Sequence, residues 1–184
     1  MKYFLLFCFY LLLIATGTAQ DYFPLKAGTR TTYIFAEGEE SQMLDSTIRQ
    51  VSTERFRMGK KKYYKVTVLE YNNSELSPVT KEVSYVRKAG RNKNYLYDET
   101  TKQEKLLFPY SSQQLKNRTA VEEEDFTTVR LSKEVLTIET PAATHTDCLE
   151  VVLEQGESYY YMYYAPRIGL VASKIREELV FYKK

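Results

Sequence analysis

"DCLEVVLEQGESYYYMYY", residues 147–164, decides the fold class. Its first half alternates: Leu149, Val151 and Leu153 share one face of an extended chain, and Cys148, Glu150, Val152 and Glu154 share the other. A period of two with unlike faces is the pattern of a half-buried antiparallel strand. Gln155-Gly156-Glu157 reads as a turn. The chain then returns through "YYYMYY", in which Tyr159, Tyr161 and Tyr163 face one way and Tyr160, Met162 and Tyr164 the other. Both faces of this returning strand are large and amphipathic. A strand covered on both sides, or one that walls a pocket on one side, needs such residues, so Tyr159, Tyr160, Tyr161, Tyr163 and Tyr164 are the candidate ligand-binding residues. Pro166 ends the run, and Gly169 turns the chain back.

The same logic extends outward. Val79 to Arg87 alternates in type, and "TRTTYIFA", "YYKVTVLEY", "KNYLYDE", "EVLTIET" and "LVASKIREELVFYKK" carry β-branched and aromatic residues suited to strands. In the last of these, Val171, Ile175 and Leu179 also fit a helical spacing, but the ending "LVFY" favours strand. Turn signals fall at Glu37-Gly38-Glu39, Met58-Gly59-Lys60, Asn72-Asn73-Ser74 and Ala89-Gly90-Arg91-Asn92. Short links force strands to pair mostly with sequence neighbours. The expectation is an all-β protein, an antiparallel meander of about ten strands forming a curved sheet or half-barrel with little helix. A serine-capped turn of helix at Ser111 to Arg118 is the exception.

Residues 1–19 read as a secretory signal: Lys2, an apolar run from Phe4 to Ala15, then Gly17, Thr18 and Ala19, with cleavage expected after Ala19. The run is too short for a transmembrane helix, and Cys8 lacks the small residues that precede a lipid-attachment cysteine. Residues 20–184 then form one β domain, exported to the periplasm or beyond. Of the 184 residues, 26 are basic and 24 acidic; without Lys2 the balance is 25 to 24. That near-neutrality gives no bulk field for nucleic acid or an anionic membrane. Cys148 is the one cysteine left after cleavage, which excludes an internal disulfide.

Three stretches in order resemble a group of exported bacterial proteins of Bacteroidota type. "DYFPLKAGTRTTYIF" is similar to that group's "YPLKxGxxWxY", "PAATHTDCLEVV" to its "AGTFxDCLxV", and "YYAPRIGLVASK" to its "YYAPGVGLVK"; "KLLFPYSS" resembles a fourth segment. Thr31 or Thr32 stands where the group has tryptophan, Ala143 where it has the glycine of "AGTF", and Arg167 where it has the first glycine of "APGVG". The resemblance implies a lipocalin-like or lipoprotein-carrier-like half-barrel that shelters an apolar ligand, with no established activity.

The residues argue against catalysis, and no cofactor or metal is expected. His145 is the only histidine, and no paired ligand spacing such as CxxC or HExxH accompanies it. His145 and Cys148, three apart on a strand, are expected on opposite faces, which makes them a poor base and nucleophile pair. Glu122 to Asp125 lacks the spacing and glycine of a calcium loop and reads as a solvated edge. Arg55, Arg57, Lys60, Lys61 and Lys62 ahead of Tyr63 and Tyr64 read as a charged hairpin end rather than a nucleic-acid surface. Asn72 and Asn117 begin sequons whose asparagines suit turns. The function expected is an exported, non-enzymatic protein that binds a lipid-like or apolar ligand, or an acylated partner. The alternative is a structural or protein-interaction module of the cell envelope without a small-molecule ligand.

Overall fold

The computed structural model describes residues 21–36, 45–72, 77–90, 93–106, 121–123, 126–132, 134–155 and 158–184. The expected signal sequence, the helical turn at Ser111 to Arg118, the Glu37 to Glu39 turn and Asn117 lie outside these residues. The expected all-β architecture holds: every regular element described is a strand.

Thirteen strands are described: β1 (Arg30–Phe35), β2 (Ser46–Met58), β3 (Lys61–Tyr71), β4 (Thr80–Lys88), β5 (Asn94–Tyr97), β6 (Glu104–Leu106), β7 (Val121–Glu123), β8 (Phe126–Leu131), β9 (Leu136–Glu139), β10 (Thr144–Gln155), β11 (Ser158–Ala165), β12 (Gly169–Ile175) and β13 (Glu178–Lys183). The order in the sheet is β6-β5-β4-β3-β2-β1-β13-β12-β11-β10-β8-β7, with β9 on β10. All pairs are antiparallel. Two meanders of sequence neighbours therefore meet where β1 pairs with β13, Tyr33 opposite Lys183 and Phe35 opposite Phe181. The count exceeds about ten for identifiable reasons. The longest strand, β2, carries too many polar residues to stand out, and the C-terminal segment is a hairpin rather than one strand. Its turn at Arg176 and Glu177 uses left-handed backbone, φ 52° and 141°, with no glycine to announce it.

The sheet has two faces, both partly covered. One carries Val51, Val66 and Val86 from the N-terminal meander and Leu131, Leu149, Val151 and Tyr164 from the C-terminal one. Across it runs the extended segment Asp21 to Leu25. Tyr22 and Phe23 pack on the C-terminal cluster, and Leu25 packs on the N-terminal one. Each such burial contributes roughly 1.5–3 kcal/mol. The opposite face carries Cys148, Tyr163 and Ala172, covered by Ile138 of β9.

Phe23 shows that the sheet is curled. Its carbonyl oxygen accepts from Asn94 Nδ2 of β5 at 2.9 Å, while its ring lies 4.8 Å from that of Tyr164 on β11. From β5 to β11 the sheet order takes seven steps, through β4, β3, β2, β1, β13 and β12. Laid flat, seven steps span about 34 Å. One residue cannot bridge that distance, so the sheet curls into an open half-barrel with Phe23 inside its concave face. Bulges supply the bending: between Val51 and Arg55, between His145 and Cys148, opposite Tyr163–Tyr164, and opposite Ser173–Lys174.

Candidate functional site

The strap at residues 21–25 is tied to both meanders, Asp21 by itself bonding to each. Lys88 Nζ of β4 donates to Asp21 Oδ2 at 2.5 Å and to the Phe23 carbonyl at 3.0 Å. On the far side the Arg167 backbone N–H donates to the Asp21 carbonyl at 2.6 Å, and Tyr22 Oη donates to the Asp147 carbonyl at 3.3 Å. A Cβ on Gly169 would lie 3.3 Å from Pro24 Cδ. The three stretches that carry the sequence resemblance thus meet at one corner, which the strap ties shut. There Arg167 keeps φ at 64°, the left-handed backbone that a glycine adopts freely, so the turn survives without the glycine.

Register assigns each tyrosine of the run. Tyr164 pairs with Leu149 and is 3 % exposed on the concave side against Phe23; Tyr163 pairs with Glu150 and is buried on the convex side. Burial and the neighbouring Glu150 raise the Tyr163 hydroxyl pKa, so it stays protonated. Tyr161 packs on the same convex cluster, and Tyr159 is exposed at the start of β11. Both faces of β11 are core near Pro166. Of the five candidates, Tyr160 stands on the concave side toward the other end of the strand, half-buried and opposite Leu153.

Beyond the strap the concave face continues as a half-buried apolar wall. Phe35, Phe181, Met162, Tyr160 and Leu153 share this side by register. The Phe181 ring packs edge-on against Tyr33 at 5.7 Å and Phe35 at 6.0 Å. Between wall and strap stand charged residues that sequence reasoning missed. Arg49 of β2 shares the concave face with Val51; it pairs with Thr31, two residues from Tyr33, and Tyr33 pairs with Lys183. Burial lowers the pKa of the Arg49 guanidinium, while proximity to the Tyr33 and Tyr164 hydroxyls opposes that shift. Burial likewise raises the Tyr33 hydroxyl, with Arg49 opposing. The available signal was phase: in "STIRQVST" Arg49 alternates in step with Val51 and so had to face inward.

At the strap's corner a cleft of about 380 Å³ is lined by Thr144 to Asp147 and Ala165 to Ile168. None of the five tyrosines borders it. The β10 bulge there overturns one expectation. Pairing advances from His145 opposite Ile138 to Cys148 opposite Leu136, three residues against two, with Asp147 at φ 56°. The extra residue puts His145 and Cys148 on the same side of the ladder rather than on opposite sides. Cys148 is nevertheless wholly buried, and burial first, then Asp147, pushes its thiol up to about 11. His145 Nε2 is buried without a hydrogen-bond partner, and burial and Lys183 lower the imidazole pKa.

The basic cluster at the β2–β3 hairpin has its own partners within the chain. Lys61 and Arg87 converge on Glu104, Arg87 Nε donating at 2.6 Å, and Tyr63 Oη donates to the same carboxylate at 2.9 Å. Arg87 foremost, then Lys61 and Tyr63, hold the Glu104 carboxyl down at about 2. Arg55 Nε donates to Tyr64 Oη at 2.8 Å, and Arg57 Nε to the Gly59 carbonyl at 3.1 Å. The hairpin is a cross-linked charged end.

The sequence matches no family model and no curated protein. The chain is similar to two solved structures. One is a candidate lipoprotein from Parabacteroides distasonis, 18% identical with a TM-score of 0.49, covering 89% of this chain and 96% of that one. The other is a candidate exported protein with a YmcC-like fold from Bacteroides fragilis, 13% identical with a TM-score of 0.49 and the same coverage. Among the described residues no helix is long and apolar enough to cross a membrane.

Proposed function

We propose that this is an exported, non-enzymatic protein that binds an amphiphilic or apolar small molecule against the concave face of its half-barrel. One observation carries the reading: the strap seals one end of that face, and the other end is a half-buried apolar wall of Phe35, Phe181, Met162, Tyr160 and Leu153. Export rests on the signal-like first 19 residues. The non-enzymatic reading draws support from the buried, protonated Cys148 and the shielded His145 Nε2.

Alkyl burial is worth about 0.8 kcal/mol per methylene, so affinity for a series of alkyl ligands rises about fourfold per carbon until the wall is filled. Titration with fluorescent fatty-acid probes, beside native mass spectrometry of protein purified from its own envelope fraction, tests the reading. Saturable binding that tightens with chain length is expected. Ligand-free protein that gives no probe response overturns it and leaves the second reading, an envelope interaction module. Phe56 and Val83, exposed on the convex side of β2 and β4, favour that alternative.

A further inference from the structure

Among the described residues three cations are matched by carboxylates: Lys61 and Arg87 by Glu104 on the convex side, and Lys88 by Asp21 on the concave side. Arg49 and Lys183 are different. Neither makes an ion pair with a described residue; Arg49 stands on the concave face, and Lys183 belongs to that face by register while its charge also reaches His145. Glu70 stands opposite Thr47 on the same face, one pair along from Arg49, yet it forms no ion pair with Arg49. The Arg49 charge is felt instead by the Tyr33 and Tyr164 hydroxyls, Tyr33 standing diagonal to it across the β1–β2 pair. Tyr33 is the hub of the group, directly opposite Lys183 and diagonal to Arg49.

A half-buried guanidinium without a counter-anion is a costly arrangement, because desolvation is not offset by a partner. The same geometry is well suited to an incoming anion: a planar fork, an ammonium and a phenol on one recessed face bind carboxylate oxygens with charge-assisted hydrogen bonds. The apolar wall begins one pair further on, where Phe35 faces Phe181. Head and tail sites are therefore contiguous.

We propose that Arg49, Tyr33 and Lys183 form an acid-headgroup site, which takes the carboxylate of a long-chain fatty acid whose alkyl part lies along Phe35, Phe181 and Met162. This rests on the amphiphile-binding reading above and specifies its ligand class.

The test compares a long-chain fatty acid with the alcohol of the same length, by displacement of a fluorescent probe from the mature protein and from its Arg49→Met variant. Wild type binds the acid about tenfold or more tightly than the alcohol. Arg49→Met removes that preference and leaves alcohol affinity within about twofold. Thermal melting confirms that the variant is folded; should it not fold, Lys183→Met at the end of β13 carries the same comparison. Equal affinity of wild type for acid and alcohol, or an acid preference that survives both substitutions, refutes the headgroup site and leaves the amphiphile reading standing. If wild type binds neither, both fall together.

Discussion

Replacing Phe23 by alanine tests how the half-barrel is held curled. The ring is 3 % exposed, packs edge-on against Tyr164, and belongs to the cluster of Leu131, Leu149 and Val151. Its backbone bonds to Asn94 and Lys88 survive the substitution, so the loss is the ring's own burial plus the cavity it leaves. Core Phe→Ala changes cost about 3–5 kcal/mol, which for a chain of this size lowers Tm by roughly 6–20 °C. The strap crosses an open face, so partial collapse places the expected value near the lower end, about 3 kcal/mol. Urea unfolding followed by far-UV circular dichroism measures it, with Val79→Ala at an exposed position as a control expected within about 0.5 kcal/mol. A Phe23→Ala cost below about 1 kcal/mol refutes the argument, because a strap so lightly attached cannot hold β5 against β11.

Four further outcomes follow from the same geometry. Glu104 ionises at about 2 rather than 4.5, so its contribution is complete above pH 4.5 and is lost as pH falls from 4.5 toward 2. Solvent screening limits that contribution to about 1–2 kcal/mol, and Glu104→Gln should abolish this part of the acid limb in pH-dependent unfolding. Cys148, with its thiol near 11, resists iodoacetamide at pH 8 in the folded protein and reacts once urea unfolds it, as intact mass will show. Tyr164→Ala costs about 3 kcal/mol or more in chemical unfolding, whereas Tyr159→Ala costs well under 1 kcal/mol, because only Tyr164 is buried. Arg167→Gly raises the melting midpoint by the equivalent of about 0.5–1 kcal/mol, relieving left-handed strain at φ 64°.

The strand content was legible because alternation is a local property, and β10 and β11 pair as their sequences propose, Gln155 opposite Ser158. Contacts made far along the chain were not. Nothing in "TTYIF" or "LVFY" states that β1 will pair with β13, yet that pairing joins the two meanders. Parity failed at His145 and Cys148 because a bulge inserts a residue without a glycine to mark it. The tyrosine run raised the question of which face looks inward. Both do near Pro166, since curling covers the concave side with the strap while β9 covers the convex side. Arg49 escaped notice because a charged residue in a mixed polar strand reads as exposed until the neighbours on its face are known.

The central claim is that one residue, Phe23, touches both halves of a sheet whose strands there lie seven places apart. Nuclear Overhauser spectra of the mature protein measure it directly. Cross-peaks from Phe23 protons to the Tyr164 ring and to the Asn94 side-chain amide are predicted together in one species. Cross-peaks to one of these and not the other would contradict the curled half-barrel and leave a flatter sheet in its place.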